Sequence, residues 1–175
     1  MRFILVRHCE TDWNAAGRLQ GHTDTELNEN GKIQAHTLAR EISPLGVHRT
    51  ISSDLKRAVQ TADIVLRSLK VPVSFDARLR EASFGALEGR TPEDVVREHG
   101  IAPHYSSGLF DFRRFGGEAR DEVLARHRHL LDELAEKHSA ETLLLVGHGA
   151  GLNTLLADLG HEPTLKRGEY RIIEY

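Results

Sequence analysis

The chain has 175 residues, 39% of them hydrophobic and 28% charged, with a net charge of -3 and one cysteine. Those proportions describe a single globular domain over 1–175 and argue against a binder of nucleic acid or anionic membranes. One thiol makes no internal disulfide and no cysteine-rich zinc site, no apolar run reaches the roughly 20 residues that span a bilayer, and the four apolar residues after Met1-Arg2 are too few for a signal-peptide core. A cytoplasmic protein is expected.

Phe3-Ile4-Leu5-Val6 reads as a short buried strand that stops abruptly at Arg7-His8-Cys9-Glu10. A structured loop follows over 9–30, closed by Asn30-Gly31, and a helix over 32–42 carries Ile33, Leu38 and Ile42 at helical spacing. Pro44 and Gly46 stop that helix. His48-Arg49-Thr50-Ile51 reads as a second strand, and Ser53 or Asp54 as the cap of a helix bearing Ala58, Ala62, Val65, Leu66 and Leu69. Pro72 breaks it, and Val71, Val73 and Phe75 alternate like a strand.

The stretch from Leu79 to about Gly117 is the least regular. Thr91-Pro92 marks a helix start within it, and residues 100–117, rich in Gly, Ser and Pro, suggest a mobile cover. An amphipathic helix over 118–138 places Val123, Leu124, His127, Leu130, Leu131 and Leu134 on one side. A strand over 142–146, a helix over 151–159 and a final strand with Tyr170, Ile172 and Ile173 complete the chain. Strands alternating with helices imply an α/β sandwich, mostly parallel, with right-handed crossovers.

Four short stretches could carry chemistry. The first and fourth strands each hand over a histidine, His8 after Val6-Arg7 and His148 within Gly147-His148-Gly149, at the strand ends where open α/β sheets place ligands. A neutral imidazole is a nucleophile that accepts a phosphoryl group, and the adjacent Arg7 supplies the planar, permanently charged fork that phosphate oxygens prefer. Arg57 falls in the first turn of its helix, where backbone N–H groups favour an anion. Glu81 sits among small and apolar residues, a setting suited to proton donation. Taken singly, each has a plain structural reading: a strand ending at the surface, a solvated helix face (accepted for Lys56), or a surface glutamate paired with Arg80.

Together the stretches resemble the histidine phosphatase superfamily, branch 1, the phosphoglycerate mutase-like family. Arg7-His8-Cys9-Glu10-Thr11 with Asn14, Gly17-Arg18-Leu19-Gln20-Gly21 with Asp24 and Leu27 to Gly31, Ser53 to Ala62, Leu79-Arg80-Glu81 to Gly89, and the strand ending in Gly147-His148-Gly149 follow that family's motifs in order along the whole chain. The resemblance implies a phosphoglycerate mutase-like three-layer sandwich, with Tyr170–Tyr175 as an antiparallel edge strand. It implies metal-independent phosphomonoester hydrolysis through a phosphohistidine on His8, with no cofactor and a small phosphorylated metabolite as substrate. Arg7, Arg57 and a protonated His148 would hold the phosphate oxygens and the transition-state charge. Glu81 would protonate the leaving oxygen and then activate water. Asn14 would add a phosphate contact, and Gln20-Gly21 would line the mouth.

Cys9 departs from the family's usual glycine. It is expected to crowd the phosphate or shift His8, above all if the backbone there has φ > 0, leaving activity reduced or sensitive to thiol oxidation. A phosphoglycerate mutase needs the same residues, but the segment from Glu81 to Gly117 is short beside the cover the family's mutases carry, which favours the phosphatase. A catalytically weakened phosphate-binding or interaction protein is the remaining alternative, supported by Cys9 alone.

A cysteine-phosphatase reading fails because position 15 is alanine, and neither a dinucleotide loop nor a hydrolase elbow is complete at 147–151. His127 and His129, two apart on a helix, make poor co-ligands. His36, His99, His138 and His161 read as surface or satisfied core residues, His22 and His104 as loop residues within reach of a site. Arg113 and Arg114 are candidate contacts for an acidic substrate, against a solvated basic turn. Oligomeric state is open, a homodimer included.

Overall fold

The computed structural model describes residues 1–100 and 110–175; part of the expected cover segment, with His104, lies outside them. Five strands form one sheet in the order β3-β2-β4-β1-β5. They are β1 (Arg2–Arg7), β2 (Arg49–Ser52), β3 (Val73–Phe75), β4 (Thr142–Gly147) and β5 (Tyr170–Glu174). β1, β2, β3 and β4 run parallel, and β5 lies antiparallel on β1. Six helices are described, α1 (Asp12–Ala15), α2 (Glu29–Ile42), α3 (Lys56–Leu66), α4 (Pro92–His99), α5 (Arg120–Lys137) and α6 (Gly149–Asp158), and no described helix is long and apolar enough to cross a membrane.

The continuous apolar runs of β1 and β4 make sense once both faces of the sheet are covered. Alternate residues feed opposite layers. Phe3, Leu5, Leu143 and Leu145 pack with Leu130, Leu131 and Leu134 of α5 and Leu152, Leu155 and Leu156 of α6. Ile4, Val6, Leu144 and Val146 pack with Leu38 and Ile42 of α2 and Ala58, Ala62 and Val65 of α3. A third cluster of Leu19, Phe84, Leu87, Val95, Phe110, Phe112 and Val123 stands beyond the strands' carboxyl ends. The chain leaves β1 over one face and β4 over the other, so the neighbouring carboxyl ends of these two strands frame an open crevice.

Several expected boundaries move. The second helix starts at Glu29, capped by the Asn28 side chain on the Gly31 N–H at 2.8 Å. Gly31 lies in its first turn instead of closing the loop, and it is glycine there because a Cβ would collide with the Glu10 carbonyl. The buried stripe is accordingly Gly31, Ala35, Leu38, Ala39 and Ile42, and Ile33 points away from it, 65% exposed. Neither Ser53 nor Asp54 caps α3. Leu55 holds the cap position with no side-chain bond, and the Asp24 carboxylate reaches across to the Lys56 N–H at 2.7 Å. Asp54 instead pairs with Arg80. The last helix starts at Gly149, with His148 in its cap position. β3 is an edge strand whose three residues are all exposed.

Candidate active site

Register brings three strand ends level. Arg7 pairs with Gly147, the His8 N–H donates to the Gly147 carbonyl at 2.9 Å, and the Ser53 N–H donates to the Val146 carbonyl at 2.8 Å. His8, His148 and Ser53 therefore emerge side by side, with the two imidazole rings 5.0 Å apart. His8 lines a cleft of about 410 Å³, a volume suited to a small metabolite.

The tautomer of His8 follows from one contact. Its Nδ1 lies 2.7 Å from the Cys9 carbonyl, which can only accept, so Nδ1 carries the proton and Nε2 keeps its lone pair. Nε2 has no hydrogen-bond partner among the described residues, and His8 lines the cleft. Burial first, then the nearby Arg57 and Arg7 charges, hold its pKa well below the usual 6.5. The ring is a neutral nucleophile at neutral pH.

Arg57 is fully buried beneath this floor. It donates from Nε to His148 Nδ1 at 3.2 Å, from Nη1 to the Thr23 carbonyl at 2.9 Å and from Nη2 to the Gly21 carbonyl at 2.7 Å. Burial lowers its pKa to about 10, which leaves it charged at neutral pH. Because guanidinium only donates, His148 Nδ1 must accept, and the Nε2 proton of His148 faces Ser53 Oγ at 2.9 Å. Burial and Arg57 push the His148 pKa well down. The expected protonated His148 is thus a neutral ring here. It orients Arg57, and the positive charge of the floor comes from arginine. Neither His148 nor Arg57 is among the cleft-lining residues.

Arg7 lines the cleft and donates from Nη1 to the Leu165 carbonyl at 3.1 Å. Its guanidinium lies over the first residue of α6, where a Cβ on Gly149 would stand 2.6 Å from Cζ. That close approach, more than freedom for the imidazole, is why glycine follows His148.

Glu81 enters from the stretch before the third cluster. It is 8% exposed, and its Oε1 accepts the N–H groups of Ala82 (3.0 Å), Ala150 (2.9 Å) and Gly151 (3.3 Å), so the carboxylate itself occupies the amino end of α6. No hydrogen bond falls on Oε2 among the described residues. The backbone beneath is held by Arg126, which donates to the carbonyls of Arg78 and Arg80 at 2.7 Å and of Glu81 at 2.9 Å while paired with Glu118. Sequence reading missed this clamp; its partners lie far apart in the chain, and an arginine on an amphipathic helix looks solvated.

The remaining expected residues divide. Asn14 spends its Oδ1 on capping Thr11 and lines the cleft with its amide. Gln20 and Gly21 also line it; Gln20 Oε1 is taken by the hydroxyls of Thr11 and Thr25, and the Gly21 carbonyl by Arg57. Arg113 pairs with Asp111 and Arg114 stacks on Phe115, so neither lines the cleft. Arg18, Arg120 and Arg167 do, and sequence reading assigned none of them a role. His22 donates to the Glu81 carbonyl at 2.9 Å, and His127 is a buried core residue. No set of three or more His, Cys, Asp or Glu side chains among the described residues is grouped to hold a metal ion.

The geometric conditions for the expected disturbance by Cys9 are not met. Its φ is not positive, its side chain is fully buried in the apolar layer with α2 and α3, and its N–H donates to Thr61 Oγ1 at 3.1 Å. Burial pushes the thiol pKa up to about 12, so it is an unreactive core group.

The family model described as the histidine phosphatase superfamily (branch 1) matches residues 3–172. A probable phosphoglycerate mutase GpmB of Salmonella paratyphi A is 36% identical over 160 residues, covering 91% of this chain and 74% of its own. Among solved structures, a mycobacterial glucosyl-3-phosphoglycerate phosphatase in complex with VO3 superposes with a TM-score of 0.88 at 30% identity, over 99% of this chain and 92% of that one. YhfR of Bacillus stearothermophilus superposes with a TM-score of 0.89 at 30% identity, over 99% and 90%.

Proposed function

The chain belongs to branch 1 of the histidine phosphatase superfamily, and we propose that it hydrolyses small phosphomonoesters without a metal, through a phosphohistidine on His8. The observation that carries this reading is the fixed tautomer of His8: Nδ1–H on the Cys9 carbonyl, with the Nε2 lone pair left for phosphorus in the cleft.

In the first step Nε2 attacks phosphorus as the ester P–O bond breaks, and Glu81 gives its proton to the departing alkoxide. With Oε1 bound to three N–H groups, Oε2 is the oxygen that carries that proton. In the second step the Glu81 carboxylate takes a proton from water, whose oxygen attacks phosphorus as the N–P bond breaks. Arg7 in the cleft and Arg57 beneath it supply the positive charge that the equatorial oxygens need, and the Asn14 amide adds a donor. His148 serves as positioning residue for Arg57. Every role falls within one chain, so the reading needs no second subunit. A cytoplasmic setting is part of it, in keeping with a lone cysteine held as a buried thiol.

The test is phosphate release from p-nitrophenyl phosphate in the presence of a chelator. Wild type should turn over, and His8→Ala should lose on the order of 10⁴-fold or more. Turnover that survives in His8→Ala would refute the nucleophile. Mutase activity is the second reading, suggested by the GpmB relative. Phosphoryl exchange between phosphoglycerates faster than phosphate release would favour it.

A further inference from the structure

Resting on the phosphatase reading, we propose that Arg120 and Arg167, with Arg18 beside them, form a second anion subsite at the mouth of the cleft, so that the substrate is a small phosphomonoester carrying a further anionic group. Cleft-lining residues include four guanidinium groups, Arg7, Arg18, Arg120 and Arg167, against one carboxylate, Glu81, in a chain whose net charge is -3. A single phosphate is already served from the floor by Arg7 and Arg57. The other three cations exceed what one phosphate requires, and concentrating like charge is unfavourable unless an anion relieves it.

Several features fix these arginines at the cleft. None forms an ion pair among the described residues, as is also true of Arg2, Arg40, Arg67 and Arg171 away from the cleft, whereas Arg78, Arg80, Arg97, Arg113 and Arg126 all do. Arg167 is carried by a tied segment: Leu165 exchanges hydrogen bonds with Asn153, itself a cleft residue, and the Gly168 N–H donates to the Arg7 carbonyl at 3.2 Å. Arg18 is tethered by Nη1 to the Gly89 carbonyl at 2.6 Å, which leaves other N–H groups for a ligand. Arg120 opens α5, so its position is set by a helix packed through Leu130, Leu131 and Leu134. Arg167 contributes to the lowered pKa of Glu10, whose carboxylate is bonded first to Asn30 and Asn28. Guanidinium forks bind carboxylate and phosphate alike, so the shared chemistry is a second oxyanion.

The experiment measures binding apart from turnover. Calorimetry on His8→Ala protein compares 3-phosphoglycerate with glycerol 3-phosphate, and fructose 1,6-bisphosphate with fructose 6-phosphate. In at least one pair the more anionic member should bind about tenfold tighter, the first pair identifying a carboxylate and the second a phosphate. Adding Arg120→Gln or Arg167→Gln should bring that ratio toward one. Ratios near one in the His8→Ala parent, or a ratio that survives both arginine substitutions, would overturn the subsite. Failure of wild type to hydrolyse any phosphomonoester would overturn the phosphatase reading instead, and the binding ratios would still judge the subsite.

Discussion

The floor of the cleft and its mouth use the same cation under opposite conditions. At the floor, Arg57 is fully buried and donates to His148, Thr23 and Gly21, while His8 and His148 are held neutral by burial. At the mouth, Arg18 and Arg167 are exposed and Arg120 half-buried, and none is ion-paired among the described residues. A buried charge must be satisfied by the protein itself, so the floor is a fixed, preorganised structure. An exposed charge is satisfied by water and can exchange that water for a ligand. On the proposed reading the floor serves the reaction and the mouth chooses what reacts.

The sharpest way to break this division is at Glu81, which lines the cleft from the amino end of α6. Glu81→Gln keeps an oxygen for the α6 N–H groups but cannot give or take the proton, so kcat/KM for an alkyl phosphate should fall about 10²–10⁴-fold. The loss should be smaller for p-nitrophenyl phosphate, whose phenolate leaves without protonation. Equal losses on the two substrates would remove Glu81 from the role of acid.

Acid should attack the buried histidines and spare the mouth. His127, buried under α6 with Nδ1–H on the Val123 carbonyl, has its pKa lowered from 6.5 to about 3 by burial and by Arg126. The unfolded state takes up a proton below 6.5 while the folded state waits until about 3, so stability is complete above that window and declines as pH falls through it. At about pH 5 the cost from this one residue is about 2 kcal/mol, and the lowered pKa values of His8 and His148 act in the same direction. Urea denaturation at about pH 8 and about pH 5 should show a smaller difference in His127→Leu than in wild type, by about that amount.

Smaller effects follow at the border between the regions. Gly149→Ala, which puts a Cβ against the Arg7 guanidinium, should raise KM about tenfold with fold and Tm nearly retained. The smallest expected effect is at Cys9: a native-state alkylating agent should leave thiol and activity untouched, and labelling should appear only on unfolding. Rapid labelling with loss of activity would restore a thiol beside the nucleophile.

Sequence alone determined the parts that are local. The apolar runs of β1 and β4, the cap at Thr91-Pro92 and the order of the motifs are properties of adjacent residues, and they pointed to an α/β sandwich and to His8, Glu81 and His148 at the ends of their segments. What adjacent residues do not encode is what meets them from far along the chain. Asp24 capping α3, Glu10 pressing on Gly31 and Arg126 clamping the backbone under Glu81 each join residues separated by dozens of positions or by a fold in the loop. Protonation is of the same kind: His148 was expected to be charged, and is neutral because the tertiary structure buries it against Arg57. The mouth was the least legible region. Arg18, Arg120 and Arg167 come from three separate segments and look in sequence like any exposed arginine, whereas Arg113 and Arg114, adjacent and conspicuous, are spent on Asp111 and Phe115. Whether a surface cation is used locally or left for a ligand depends on which segments the fold brings together, and only the tertiary structure decides that.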